Sequence, residues 1–439
     1  MYLTQKIRIF PTLEQSQVLW VLSEKCRLIY NFALNERRDN WKANKEKPQE
    51  EKTYINYTFQ QNQLPALKKE YPEYTWVYSK VLQSTLKKLD SNFKSFFALW
   101  KNGHTDARTP KFKGKKYFTT LCYNQSGFKL KGNQITFSHK HPSKTPLVFQ
   151  LGYMIPVDSV IKQVDIYLDP LKRWFVSITY QIEEQKYVDN GKYQAIDLGI
   201  SNLVSAVNLD SKFVQIKNRR ADLFWKKKLE EVQSKRDHCK KYSKKWKLYN
   251  QKFVSMKRKC VYQMKDFQHK ISKQIVENTK ANTIIVGDLN IKQMAKKKTT
   301  TKSPRQNKAN KTLNHSIQNT GSMGRFVQFL TYKARKIGKR IIKIDESYTT
   351  QVCCSCGMRK KRSLSERDIF CDCGNQIDRD LNSAVNIMKK YLYLKHADSL
   401  LHQPSVYEES FLRKWNGFTM INSLFRTRSK EGLMGSPLL

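Results

Sequence analysis

Hydrophobic and polar positions change their period several times along the chain, and each change predicts a different element. Residues 3–10 (L-T-Q-K-I-R-I-F) alternate with the period of two of a half-buried strand, which Pro11 ends. Thr12-x-x-Gln15 reads as a capping box, and Val18, Leu22, Ile29 and Ala33 follow at roughly helical spacing, predicting a helix to about Asn40. Residues 49–73 are polar and turn-rich, and residues 76–100 return to a helical pattern, so a small helical bundle is expected after the first strand. Past Pro110, short strands are predicted at 128–137 with Gly132-Asn133 as a turn, 147–151, 159–168 and 173–182, the last two joined by Asp169-Pro170. That spacing suggests a small antiparallel barrel, which strand 3–10 could join.

The pattern changes again near Lys192. Y-Q-A-I-D-L-G-I is an apolar strand ending in Asp197, and Gly199 offers a turn into a second strand, V-S-A-V. From Ile200 to Val286 there is neither Gly nor Pro, and the densely basic middle of this stretch predicts two long helices as an antiparallel pair. A strand T-I-I-V at 283–286 runs into G-D-L-N. Residues 292–311 carry eight basic residues and no acid among Ser, Thr and Asn, the composition of a flexible loop. A helix over 323–336 then leads to strand I-I-K-I at 341–344, with Glu346 just past its end, and L-N-S-A-V-N-I-M begins a helix with Asp380 near its N-terminus. Beyond Lys390 no clear period remains.

Composition adds a partner. The 439 residues are long enough for two to four units, and 82 Lys+Arg against 37 Asp+Glu give a formal charge of +45 spread over nearly the whole chain. A polyanion relieves such self-repulsion, and 12% aromatic residues interleaved with the cations favour stacking on bases. The run T-P-K-F-K-G-K-K-Y-F marks Lys111, Lys113, Lys115, Lys116, Tyr117 and Phe118 as candidate nucleic-acid contacts, or as a solvated strand face. No apolar run approaches the roughly 20 residues of a membrane span.

Two tight cysteine pairs, Cys353/Cys356 and Cys371/Cys373, are each followed by a glycine, Gly357 or Gly374. Four thiolates so spaced can close a tetrahedral zinc shell with no position left for water, which predicts one structural Zn²⁺ in a zinc ribbon. A disulfide is the competing reading. The chain opens on a polar strand without a secretory signal, and its nine cysteines are an odd number, so a reducing compartment is expected. Taken singly, Asp380 reads as a capping acid and Glu346 as a solvated strand end. Asp197 ending an apolar strand, a hairpin after it, and an acid opening a late helix together form the pattern of an RNase H-like nuclease, in which carboxylates hold two Mg²⁺ ions.

The combination A-I-D-L-G-I, V-G-D-L-N-I, Y-T-T-Q-V-C-C-S-C-G and C-D-C-G-N-Q-I-D-R-D-L-N-S-A-V-N-I resembles the TnpB family, transposon-encoded RNA-guided nucleases related to type V CRISPR effectors and to Fanzor proteins. The opening K-I-R-I-F-P-T-L-E-Q is similar too, and the resemblance spans residues 1 to about 390. It implies an α/β multidomain fold: a wedge barrel from residues 1–12 and 110–188, a helical recognition bundle at 13–109, and an RNase H-like (RuvC) nuclease domain at 189–349 with a helical-pair insertion. The zinc ribbon would be 350–375, the last nuclease helix 376–395, and 396–439 a basic tail. It further implies a guide RNA from the transposon end, cleavage of double-stranded target DNA beside a short motif, no required protein oligomer, and a cytoplasmic, nucleoid-associated place in a prokaryote.

One departure stands out. Most of the family carries a glutamate directly before D-L-N, and this chain has Gly287. Either the nuclease is dead and the protein is an RNA-guided DNA-binding repressor, or another acid has taken the role. Asp288 is nearest in sequence, but one step along a strand turns a side chain to the opposite face. Glu346 fits better if strand 341–344 lies beside 283–286, so the expected metal ligands and catalytic residues are Asp197, Glu346 and Asp380. A transposase that joins DNA ends itself is a third reading, less consistent with cysteine pairs directly before I-D-R-D-L-N.

Overall fold

The computed structural model describes residues 1–124, 126–156, 159–288, 323–363 and 366–400, with side chains to residue 395. The basic segment 292–311 and the tail from 401 onward lie outside the described residues. The chain divides into two compact units, Met1–Glu183 and Glu184–Leu439.

The first unit begins with β1 (Tyr2–Arg8) and α1 (Leu13–Ala43). The capping box forms as the sequence predicts: Gln15 N–H donates to Thr12 Oγ1 at 3.2 Å and Thr12 N–H to Gln15 Oε1 at 3.0 Å. The polar stretch after α1 is more ordered than its composition suggests, holding α2 (Tyr57–Asn62) and α3 (Leu64–Glu70). Tertiary bonds override local polarity there, because buried Gln60 donates to the Ala33 carbonyl of α1 at 2.8 Å. Helix α4 (Ser79–Lys101) follows, and its Val81, Leu82, Leu86 and Leu89 are buried at helical spacing.

Among the described residues, six further strands join β1 in two antiparallel sheets. β2 (Leu121–Asn124), which the basic-aromatic run conceals, joins β6 (Val160–Leu168), β7 (Trp174–Gln181) and β1 in the order β1-β7-β6-β2. β3 (Phe128–Lys131), β4 (Gln134–Phe137) and β5 (Leu147–Gln150) form the second sheet, with Gly132-Asn133 turning between β3 and β4 as expected. One apolar core joins both sheets to α1 and α4, centred on Leu22, Leu82, Leu121, Tyr123 and Ile135.

In the second unit, β8 (Tyr193–Asp197), β9 (Asn202–Asn208) and β10 (Phe213–Lys217) form an antiparallel meander. β10 is absent from the sequence reading because its residues run straight into the basic helical stretch. α5 (Ala221–Asp237) and α6 (Lys244–Asn278) follow as the expected antiparallel pair. Trp225 Nε1 reaches Gln263 Oε1 at 2.8 Å, while Arg236 nearer the turn reaches Asn250. β11 (Thr283–Gly287), α7 (Met323–Lys336) and β12 (Arg340–Ile344) bring the chain back to the sheet.

β11 and β12 both run parallel to β8, giving the sheet order β10-β9-β8-β11-β12. Three carboxyl-terminal strand ends therefore share one edge, the edge where open α/β sheets place their sites. β13 (Asp368–Phe370) and β14 (Gln376–Asp378) form a small hairpin ahead of α8 (Arg379–Leu400). The helix continues past Lys390, where the sequence shows no period. Its apolar side (Leu381, Ala384, Val385, Met388) packs with Ala195, Val207, Ile285 and Ile344 of the sheet.

Candidate active site and cysteine cluster

Asp197 ends the central strand β8, whose Ala195 packs in the core that includes α8 and whose Ile196 packs in the core that includes α7, so both faces of the strand are buried. The residue is 8% exposed, and its carboxyl accepts from Ser383 Oγ of α8 at 3.0 Å. Burial pushes the Asp197 carboxyl well above its ordinary range, and the charges of Glu346 and Asp380 push the same way.

Glu346 lies two residues beyond β12 and is half-buried. Strand pairing sets Val286 opposite Ile196 and Gly287 opposite Ile344, so the end of β11 lies between the end of β8 and the turn that carries Glu346. A β-carbon placed on Gly287 would fall 2.1 Å from Glu346 Oε2, so the glutamate folds back over a strand end that only glycine leaves open. Burial first, then the charges of Asp345 and Asp288, raise Glu346 to about 7. Its Oε2 is buried and has no hydrogen-bond partner among the described residues.

Asp380 occupies the first turn of α8, yet it is not the cap. Asp378 Oδ1 accepts from the backbone N–H of Asp380 at 2.9 Å and of Leu381 at 3.1 Å, which is the capping bond. The Asp380 carboxylate is left to face the strand ends. It accepts from Asn202 Nδ2 at 3.3 Å, and Arg379 and Arg367 lie 3.7 and 3.8 Å away.

Asp288 is turned away, as the one-residue shift predicts. It is exposed, and Lys343 Nζ donates to its carboxylate at 3.2 Å. Three carboxylates, from β8, the turn after β12 and α8, thus share one end of the sheet, near enough for the charges of Glu346 and Asp380 to raise Asp197. Such a set, with one buried oxygen lacking a partner, fits a hard divalent cation, which supplies both the charge and the missing contact.

The four predicted cysteines also meet. The sulfurs of Cys353, Cys356, Cys371 and Cys373 all lie within 4.8 Å of one another, with Cys353–Cys373 at 3.8 Å and Cys356–Cys371 at 3.5 Å. All four thiols are free, and a tetrahedral Zn–S shell at about 2.3 Å requires sulfurs about 3.8 Å apart. Gly357 and Gly374 take φ of 78° and 81°, the left-handed turn that favours glycine after each pair. Burial raises the Cys353 thiol, but the N–H groups of Cys356 and Ser355 and the Asn375 amide outweigh it and hold it at about 7. Cys354, by contrast, is buried in the apolar core, its thiol pushed up to about 12 by that burial.

The sequence reading missed the polar face of α8. Asn382, Ser383, Asn386 and Lys389 recur at helical spacing inside an otherwise apolar helix start, a signal visible in N-S-A-V-N-I-M-K. Asn382 and Asn386 each donate to the carbonyls of Thr349 and Val352, and Lys389 Nζ donates to the Cys354 carbonyl at 2.6 Å. The loop leading into the cysteine cluster is therefore clamped to the helix that carries Asp380.

In the first unit, Lys111, Lys115, Lys116 and Tyr117 are exposed. Phe118 instead packs edge-on against Trp20 and Trp174, at 5.3 and 4.9 Å between ring centres. Lys113 is drawn against α1: its backbone exchanges bonds with Asn31, and its ammonium lies 3.8 Å from the Tyr30 ring centre. Burial lowers that ammonium to about 8.

Known proteins share this organisation. A family described as "Cas12f1-like, TNB domain" matches residues 324–387, a "Probable transposase" family matches 177–298, and a "Helix-turn-helix domain" family matches 1–46. The last stretch folds here as one strand and one long helix. The "Putative RNA-guided DNA endonuclease" of Streptomyces pristinaespiralis is 26% identical over 388 residues, 87% of this chain and 88% of that protein. The "TnpB-like protein L79" of Acanthamoeba polyphaga mimivirus is 31% identical over 150 residues, 34% of this chain and 26% of that one. Among solved structures, the protein of a Cas12f1–sgRNA–target DNA complex superposes with a TM-score of 0.55 at 13% identity, covering 88% of this chain and 98% of that one. This likeness is one of fold. Among the described residues no helix is long and apolar enough to cross a membrane.

Proposed function

The chain belongs to the TnpB family of transposon-encoded proteins, and from that premise we propose that it is an RNA-guided DNA endonuclease. The relative matched almost end to end bears that name, and the charge of +45 suits a protein that holds a guide RNA and its target DNA together. The meander followed by two strands parallel to the first supports an RNase H-like nuclease domain, the cysteine hairpin a zinc ribbon inserted before its last helix, and the two sheets of the first unit a wedge barrel with a helical recognition insertion. Lys111, Lys115, Lys116 and Tyr117 are the exposed candidates for contact with nucleic acid.

The observation that carries the activity is the Glu346 carboxylate folded over Gly287, at the end of the sheet where Asp197 closes β8 and which Asp380 of α8 faces. Asp197, Glu346 and Asp380 would hold two Mg²⁺ ions, and Cys353, Cys356, Cys371 and Cys373 one structural Zn²⁺. When bound, Mg²⁺ lowers the pKa of an attacking water and stabilises the leaving oxygen of a phosphodiester. The chain's own part is to bring the three carboxylates to one end of the sheet, with Ser383 orienting Asp197 and Asp378 relieving Asp380 of capping. A repressor reading rests on Gly287 alone, and Glu346 supplies the acid that reading lacks.

Purifying the protein from cells that carry its native locus and sequencing the RNA it retains tests the guide. One defined RNA ending in variable sequence, able to direct Mg²⁺-dependent cutting of a matched duplex, is the expected result. Random RNA fragments, or binding of a matched target without cutting in Mg²⁺ or Mn²⁺, would remove the proposal.

A further inference from the structure

Glu346 sits in a turn beyond a strand, where no sheet hydrogen bonds hold the backbone in register, so something else must fix its carboxylate against Asp197. Two buried hydroxyls span that gap. Thr349 is 2% exposed and Ser383 0% exposed, and their oxygens are 2.8 Å apart. Ser383 Oγ reaches Asp197 Oδ1 at 3.0 Å, and Thr349 meets the Glu346 carbonyl both through Oγ1, at 2.8 Å, and through its N–H, at 3.2 Å. The Thr349 carbonyl in turn accepts from the Asn382 and Asn386 amides, at 3.1 and 2.8 Å.

Each hydroxyl has one hydrogen to give and two lone pairs to receive. With Asp197 ionised, the hydrogens can run from Thr349 to Ser383 and from Ser383 to Asp197, while the Glu346 carbonyl keeps the Thr349 N–H. The pair thus delivers a donor to Asp197 and ties that donor to Thr349, whose N–H holds the turn that carries Glu346. Both oxygens are sealed from water, so neither loses a partner without cost.

We propose that the Thr349–Ser383 hydroxyl pair is a positioning device that fixes the relocated Glu346 relative to Asp197 and sets the site's affinity for divalent ions. This inference rests on the reading of Glu346 as a metal ligand. Neither residue touches the reacting atoms; both act through the carboxylates they orient.

Thr349→Val removes the hydroxyl at nearly constant shape. Manganese binding to the full chain, followed by electron paramagnetic resonance, should weaken by up to about tenfold, the scale of one buried hydrogen bond. The Mg²⁺ concentration for half-maximal cleavage by the RNA-loaded protein should rise by a similar factor, with cleavage at saturating Mg²⁺ within about threefold of wild type and zinc content unchanged. Thr349→Ser should restore both, and Ser383→Ala should repeat the defect, the double variant being no worse than the worse single one. If Thr349→Val folds poorly, Ser383→Ala and Thr349→Ser carry the comparison. Unchanged manganese affinity in Thr349→Val and Ser383→Ala, or failure of serine to rescue, overturns the proposal. Glu346→Ala separates the two readings: if it leaves manganese binding intact, Glu346 is no ligand, whereas a loss there with no effect at Thr349 and Ser383 removes only the bridge.

Discussion

The carboxylate of Glu346 lies where a side chain on Gly287 would begin: a β-carbon at Gly287 falls 2.1 Å from Glu346 Oε2 and 3.1 Å from its Cβ and Cδ. The two positions exclude each other, so an acid can reach this strand edge from 287 or from 346, but not from both. A glycine that looks like the loss of a ligand is also the opening through which another acid enters.

Glu346→Ala should therefore lower Mg²⁺-dependent cleavage by more than about 100-fold, as Asp197→Ala should, while RNA-guided DNA binding persists. Asp288→Ala should cost little, since that carboxylate faces Lys343 on the other side. Gly287→Ala should fold, because its nearest clash is the end of a flexible side chain, yet it should cut poorly by displacing Glu346. Gly287→Glu in the Glu346→Ala background is expected to regain part of the activity. Cleavage and binding assays on the same preparations check all four.

The raised Glu346 titration sets a pH dependence. In the window from the ordinary carboxylate range to about 7, the folded protein keeps a proton that the unfolded chain has lost. Stability without added Mg²⁺ should therefore fall as pH rises through that window. Mg²⁺ displaces the proton, so its affinity should climb with pH and level off once Glu346 is ionised. Melting curves and Mg²⁺ titrations between about pH 5 and pH 8 read both trends, and Glu346→Gln should flatten the Glu346 contribution to each.

For the cysteine cluster, Cys371→Ser should lower bound zinc from about one equivalent and reduce the melting temperature, because a closed four-thiolate site contributes its binding energy to folding. Cys354→Ser should retain zinc yet still melt earlier, since it buries a hydroxyl among apolar side chains. Zinc analysis beside thermal melting distinguishes the two kinds of cysteine.

The basic-aromatic run should separate in the same way. Phe118→Ala should cost about 3 kcal/mol of stability through lost packing on Trp20 and Trp174. Paired replacement of Lys115 and Lys116 by Ala should leave melting unchanged, weaken RNA binding, and flatten its dependence on salt. Filter binding at several salt concentrations, set against melting curves, measures each effect.

Some of this protein is written locally. The Thr12 capping box, the Gly132-Asn133 turn and the two cysteine pairs with their glycines depend on residues a few positions apart, so spacing alone specifies them. The strand ending in Asp197 was legible for a similar reason, because a strand covered on both sides reads as an unbroken apolar run. Where contacts are distant, sequence reading fell short. β2, β10 and the helices at 57–70 owe their form to partners elsewhere, and Phe118 differs from Tyr117 only in which way the chain turns it.

The site divides along the same line. Motif and charge narrowed the candidates to a few acids, but several were equivalent on paper. Asp378 and Asp380 both precede the same helix, and only the capping bonds assign one to the backbone and release the other. Asp288 and Glu346 both follow apolar strands, and only the parallel pairing of β11 with β12 turns one outward and folds the other over Gly287. The physical reason is that a carboxylate's role depends on where its oxygens sit in space. Residues far apart in the chain fix that position through sheet register and helix packing, which no local pattern encodes.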